Sequence, residues 1–383
     1  MINRAVTEKF AALPTPFYYY DLDLLRRTLD LIHEASSKYG FRTHYAVKAN
    51  FNPRIVKMVA EAGFGADCVS GNEIRHCLDN GFTADDIVFA GVGKTDREIE
   101  FALDSGIFCF NCESMAEIEN LSSIAAAKGK VASVAVRINP NVDAFTHNYI
   151  TTGVEETKFG IHMGELEEVT DFITGSPYLN LKGIHFHIGS QILNLTAFRN
   201  LCARINELTE WFSNRCVDID IINVGGGLGI DHYYPDTMPS IKEYFEIFGT
   251  FIRRRDHQQV LFELGRAVVG QCGSLITRVL YIKRVLGVQY AIVDAGMTDL
   301  LRPALYQAFH LIENLTSTGD ISKYNIVGPV CESADTFARM AELPLTRRGD
   351  ILAIRSAGAY GEAMASRYNL RDLPRALFSD DIL

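Results

Sequence analysis

Lys48 lies in Tyr45-Ala46-Val47-Lys48-Ala49-Asn50, near the end of a short apolar run that reads as a buried β-strand. Desolvation there disfavours the ammonium form and frees the amine as a nucleophile. Such an amine forms Schiff bases with aldehydes. The alternative is a lysine that snorkels to water. Glu263, late in another apolar run, is a buried charge that needs a cationic partner. Arg266 is one candidate. The protonated ring nitrogen of pyridoxal phosphate is another, and an acid there makes that ring a stronger electron sink.

His185 and His187 share one face of their strand in His185-Phe186-His187-Ile188-Gly189-Ser190. As a metal pair they lack a third ligand. A histidine can instead stack on a heteroaromatic ring, and His185 reads as a satisfied core residue. Gly225-Gly226-Gly227-Leu228-Gly229 follows an apolar strand. It misses the dinucleotide fingerprint, because Ile230 stands where a third glycine is needed, and it lacks a Gly-Lys-Ser/Thr ending. It reads as a backbone cradle for phosphate.

The elements that carry these residues follow from periodicity. Apolar runs occur at Thr43–Val47, Gly65–Val69, Ile87–Ala90, Ile107–Phe110, Val131–Ile138, Leu181–Ile188, Ile219–Val224 and Val260–Leu264. Helical spacing separates them, as at Leu22, Leu25, Leu29 and Ile32, or Ile118 and Leu121. Eight such repeats predict an α/β chain with a (β/α)8 barrel, a doubly wound sheet being the alternative. Active sites of such barrels lie at the C-terminal strand ends, where Lys48, Asp67, Ser70, Arg137, His187, Ser190, the glycine run, Glu263, Gly265 and Arg266 all fall.

After Arg266 the texture changes. Leu275–Val288, Tyr290–Val293, Tyr324–Val327 and Asp350–Arg355 read as strands of a β-rich domain. Pro16-Phe17-Tyr18-Tyr19-Tyr20 is strand-like and is expected to join its sheet. The expected division is a barrel over 25–266 and a C-terminal β-domain over 267–383 that takes in 1–24. In the β-domain, Gly328-Pro329-Val330-Cys331-Glu332-Ser333-Ala334-Asp335 sets a thiol beside a carboxylate in a turn-prone segment. Arg302-Pro303-Ala304-Leu305-Tyr306 offers a guanidinium suited to bidentate carboxylate binding. Gly358-Ala359-Tyr360-Gly361 sets an aromatic between small residues. Pro140–Phe159 is a long polar connection, a candidate lid.

At 383 residues the chain suits two domains, and its 48% hydrophobic, 22% charged composition is that of a soluble globular protein. A formal net charge of −10 argues against nucleic acid and anionic membrane as partners. No run reaches the roughly 18 apolar residues of a membrane span, and the N-terminal stretch lacks a signal-peptide core. The eight scattered cysteines read as reduced thiols, so a cytoplasmic location is expected. Cys109-Phe110-Asn111-Cys112 has metal-like spacing, but no second pair accompanies it.

Together Tyr45–Asn50, His185–Gln191, Gly225–Gly229, Glu263–Arg266, Asp294–Tyr306, Gly328–Asp335 and Gly358–Gly361 resemble the fold-type III pyridoxal-phosphate decarboxylases, and within them the branch acting on meso-2,6-diaminopimelate. The resemblance spans nearly the whole chain. It implies an alanine-racemase-like barrel, pyridoxal 5'-phosphate as cofactor, and decarboxylation of that amino acid to L-lysine in lysine biosynthesis. It also implies a homodimer with active sites at the interface, Cys331 and Glu332 reaching into the partner's barrel.

By the same resemblance Lys48 is the Schiff-base lysine, His187 the ring-stacking residue and Glu263 the ring-nitrogen partner. Ser190, Gly225, Gly226, Gly227, Gly265 and Arg266 hold the phosphate; Asp67 and Arg137 support the lysine and ring. Cys331 is the general acid, and Arg266, Arg302, Tyr306, Glu332 and Tyr360 contact substrate, Tyr360 the cofactor also. One departure is Leu264, where the family usually has proline. Rival readings are a decarboxylase of ornithine, lysine or carboxynorspermidine, a non-catalytic binding protein on the same scaffold, and an amino-acid racemase.

Overall fold

Helix starts in the first half are written in a repeated local device. Ser70, Thr95 and Ser114 each accept a hydrogen bond from the backbone N–H of a glutamate three residues on (Glu73, Glu98 and Glu117). That satisfies an orphan donor of the first turn. Two of these helices end on a left-handed glycine, Gly106 and Gly129. The apolar runs between such helices have no choice but to be strands. The computed structural model describes residues 2, 4–140 and 158–382; most of the candidate lid at Pro140–Phe159 therefore lies outside the described residues.

β1 is Phe17–Tyr20. β2 (Arg42–Ala46), β3 (Gly65–Cys68), β4 (Ile87–Phe89), β5 (Cys109–Cys112), β6 (Ala132–Arg137), β7 (Leu179–His185), β8 (Ile221–Asn223) and β9 (Gln259–Leu264) follow, the eight expected strands. They close in sequence order into a parallel barrel, β9 pairing back onto β2. β5 starts two residues later than its apolar run suggests, with the Phe108 N–H shared between the carbonyls of Ala84 and Ile87 just before it. Leu264 completes β9, paired with Tyr45.

The C-terminal half adds β10 (Gly273–Val285), β11 (Val288–Val293), β12 (Ile312–Asn314), β13 (Ile321–Val327), β14 (Thr336–Pro344), β15 (Ile351–Ile354) and β16 (Arg375–Phe378). Their sheet runs β12-β15-β10-β11-β13-β14, and β1 joins it between β10 and β16, as expected of the aromatic N-terminal run. Phe10, Phe17, Tyr19, Ile276, Ile351 and Ala353 pack into its core. β12, β14 and β16 have no counterpart among the expected strands, and β14 is the longest of them. Its alternation is broken at Met340, which adopts φ 53°, and its pairing with β13 shifts register there.

Packing divides the chain into two units. One comprises Leu29–Gly229 and Ser240–Gly265; the other comprises Met1–Thr28, Ile230–Pro239 and Arg266–Leu383. No helix among the described residues is long and apolar enough to cross a membrane.

Candidate active site

In the barrel unit, Lys48 stands just past β2 in a single 3-10 turn, Val47–Ala49. The turn is pinned by the Tyr45 hydroxyl, which donates to the Asn50 carbonyl at 2.8 Å. Gly265 lets the end of β9 pack on it, since a Cβ there would lie 2.9 Å from Ala49 Cβ. Parallel pairing sets Asp67 of β3 opposite Ala46, and its Oδ2 reaches Lys48 Nζ at 2.7 Å. The expected burial of the lysine differs from what is observed: its side chain is 38% exposed, and a carboxylate supplies the polar partner. Asp67 itself is fully buried, and its Oδ1 has no hydrogen-bond partner among the described residues. Burial and the charge of Glu263 push its carboxyl up, against the pull of Lys48.

Glu263 gathers three strands around one buried carboxylate. Asn111 of β5 and Asn223 of β8 donate to Oε1 at 3.0 and 2.7 Å, and His185 Nε2 of β7 lies 3.1 Å from Oε2. Burial alone would raise this carboxyl, but His185, Lys48 and the Asn223 hydrogen bond together hold it below the usual range. His185, read from sequence as core, is thus a partner of the acid. Asn111 and Asn223 were missed; their one signal is an amide at the C-terminal end of an apolar strand.

His187 follows β7, and its Nδ1 accepts from the Gly226 N–H at 3.3 Å, leaving the proton on Nε2. Burial, with the charges of Arg137 and Lys48, lowers its pKa to about 3, so the ring is neutral. Gly225 and Gly227 adopt φ of 70° and 110°, and a Cβ on Gly226 would strike the Glu263 carbonyl. Ile192 and Gly227–Gly229 exchange hydrogen bonds of 2.9 and 3.0 Å, tying the Ser190 segment to the glycine turn. Arg137 forms a buried ion pair with Glu113 at 2.6 Å, and the other oxygen of Glu113 accepts from the Gly160 N–H. Among the described residues no cluster could hold a metal ion, and Cys109 and Cys112 are buried thiols with raised pKa.

The second unit carries the other expected residues. Arg266 is buried, 4.9 Å from the centre of the Tyr360 ring, and Tyr360 adopts φ 55°. Arg302 opens the short helix Arg302–Tyr306 and is also buried. Its Nη1 lies 2.8 Å from His310 Nε2, and among the described residues it has no carboxylate partner. Burial and the charge of Arg266 lower it to about 9, while Tyr360 and Tyr306 oppose the shift. Cys331 and Glu332 sit side by side and exposed on a turn built by Asp335, whose oxygens accept from Val330 and Met297. Tyr368 donates to Glu332 at 2.8 Å.

Residues 23–270 match the pyridoxal binding domain of pyridoxal-dependent decarboxylases. The chain is 52% identical over 379 residues to a diaminopimelate decarboxylase of Bacteroides thetaiotaomicron, covering 98% of each. It is 41% identical to one of Helicobacter pylori over 95% of this chain and 90% of that protein. Among solved structures, that of diaminopimelate decarboxylase from Helicobacter pylori complexed with L-lysine is similar at a TM-score of 0.92 and 39% identity, covering 98% of this chain and 94% of the other.

Proposed function

This chain belongs to the pyridoxal-dependent decarboxylases, and from that premise we propose that it decarboxylates meso-2,6-diaminopimelate to L-lysine and carbon dioxide. It is an enzyme, a carboxy-lyase, and its cofactor is pyridoxal 5'-phosphate. The near-full-length likeness to diaminopimelate decarboxylases carries the reading. Arg302 gives it a physical basis, because a buried guanidinium with no carboxylate partner among the described residues is suited to a substrate that brings one.

The barrel residues fit the cofactor. An orphaned buried oxygen on Asp67, a side-chain-free glycine turn, a neutral histidine ring and an ionised buried glutamate answer to a polar, phosphorylated, basic heteroaromatic ring. When bound, the cofactor supplies an electron sink for the pair left as carbon dioxide departs. Lys48 anchors its aldehyde, held in place by Asp67. Glu263, fixed by Asn111, Asn223 and His185, keeps a proton on the ring nitrogen. His187, kept neutral by burial and the charge of Arg137, would lie against the ring, with Arg137 as a supporting residue. Ser190, Gly225, Gly226, Gly227, Gly265 and Arg266 take the phosphate, with Tyr360 beside Arg266.

Cys331 is assigned as the acid that returns a proton to the α-carbon. Arg266, Arg302, Tyr306 and Tyr360 take the substrate's carboxylates and Glu332 its distal amine. Residues 25–266 then form the cofactor domain, and 1–24 with 267–383 the domain of substrate and dimer contacts. The reading includes a homodimer in the cytoplasm, Cys331 and Glu332 of one copy serving the other. The test is carbon dioxide release from meso-diaminopimelate, lysine and ornithine, with and without added pyridoxal phosphate. A rate on diaminopimelate far above the others is expected; equal rates would overturn the substrate assignment.

A further inference from the structure

His310 is buried between two polar contacts that fix its chemistry. Its Nδ1 lies 2.8 Å from the carbonyl oxygen of Arg355, and its Nε2 lies 2.8 Å from Arg302 Nη1. A carbonyl can only accept, so Nδ1 carries the proton and Nε2 presents a lone pair to the guanidinium. The anchor is stiff. The Arg355 N–H donates to Leu311, and its guanidinium pairs with Glu313 and Asp236. The His232 ring packs edge-on against His310 with centres 4.7 Å apart, and neither of its buried nitrogens has a hydrogen-bond partner among the described residues.

We propose that His310 is a positioning residue: it turns the Arg302 guanidinium so that its outer edge meets a carboxylate, and His232 holds the imidazole in place. Nη1 is the nitrogen on the Cδ side. Engaging it leaves the opposite edge, Nε with Nη2, as the two-pronged fork that matches a carboxylate. Arg302 Nε is a buried donor with no partner among the described residues, a cost that a bound carboxylate would remove. A neutral imidazole orients the arginine without cancelling its charge, which an aspartate or glutamate in the same place would do. His310 thus becomes a determinant of preference for a substrate with a distal carboxylate. The inference rests on the assignment of Arg302 to that carboxylate.

Two substitutions separate the halves of the contact. His310→Asn can keep the bond to the Arg355 carbonyl but cannot reach Arg302, whereas His310→Gln places an acceptor oxygen near the Nε2 position. With the holoenzyme and meso-diaminopimelate, His310→Asn is expected to raise KM about tenfold or more with kcat within about threefold, and His310→Gln to stay within about threefold of wild type in both. Equal KM values for the two variants, or a loss confined to kcat, would overturn the proposal. If His310→Asn does not fold, His310→Met against His310→Gln makes the same comparison, with the same outcomes deciding. Arg302→Met is the control. If it leaves KM unchanged, the substrate assignment falls and the proposal with it; if it raises KM while His310→Asn does not, only the positioning role falls.

Discussion

The rim of the barrel and the Arg302 site treat buried charge in opposite ways. In the barrel unit each buried ion meets its complement: Lys48 with Asp67, Arg137 with Glu113, Lys94 with Glu117, and Glu263 with three donors. In the second unit Arg302 lies beside a neutral imidazole, lowered by burial and by the charge of Arg266, while Arg355 there pairs with Glu313 and Asp236. A compensated site is pre-organised and can hold a cofactor permanently. A site left cationic is costly until an anion arrives, and so is suited to a transient substrate.

The contrast can be broken where it is strongest. Lys48→Ala removes the proposed Schiff-base amine and leaves Asp67 without its cationic partner. Carbon dioxide release is expected to fall by about a thousandfold or more. Residual turnover near wild type would remove Lys48 from the chemistry. Glu113→Ala strands Arg137 in the barrel, and a loss of roughly 3 kcal/mol in chemical denaturation is expected. No loss would mean that the barrel does not depend on pairing its charges. Arg302→Met should cost less stability than Glu113→Ala, because it orphans a neutral acceptor, His310 Nε2, and no charge, with KM for diaminopimelate up by about ten- to a hundredfold. A loss of stability as large as that of Glu113→Ala would erase the difference between the two sites.

A smaller effect concerns pH. Burial and Arg42 lower His44 in the barrel to about 4 from an ordinary 6.5, and neither ring nitrogen has a hydrogen-bond partner. Between those values the unfolded chain binds a proton that the folded chain refuses, so this group removes stability as pH falls from 6.5 towards 4. Glu73, raised to about 7 mainly by burial, acts oppositely, its contribution being lost as pH rises from 4.5 to 7. Urea midpoints of wild type and His44→Phe should therefore converge at pH 7 or differ only by packing, and the variant should gain on the order of 2 kcal/mol relative to wild type by pH 4. An unchanged difference across that range would show that His44 does not titrate with unfolding.

The barrel was legible because its signals are local. Apolar runs bounded by Ser/Thr-x-x-Glu caps and left-handed glycines fix each strand and helix within a few residues of chain. The rim residues Lys48, His187 and Glu263 were legible for the same reason, since each ends a run whose direction is known. β14 was not, because a bulge at Met340 scrambles its alternation. Asn111, Asn223 and the role of His185 were not either, because a hydrogen bond between strands five, seven, eight and nine has no trace in any one of them.

By itself, then, the sequence determined the order of strands and helices, the parallel barrel and the reactive side chains at its rim, because propensity, capping and hydrophobic period act over a few residues. Tertiary structure decided how each charge is balanced. It gave Lys48 an anion in place of the expected desolvation, gave Glu263 three donors from three strands, and left Arg302 with a histidine. Those outcomes depend on distances between residues far apart in the chain, which only the closed barrel and the folded sheet bring together.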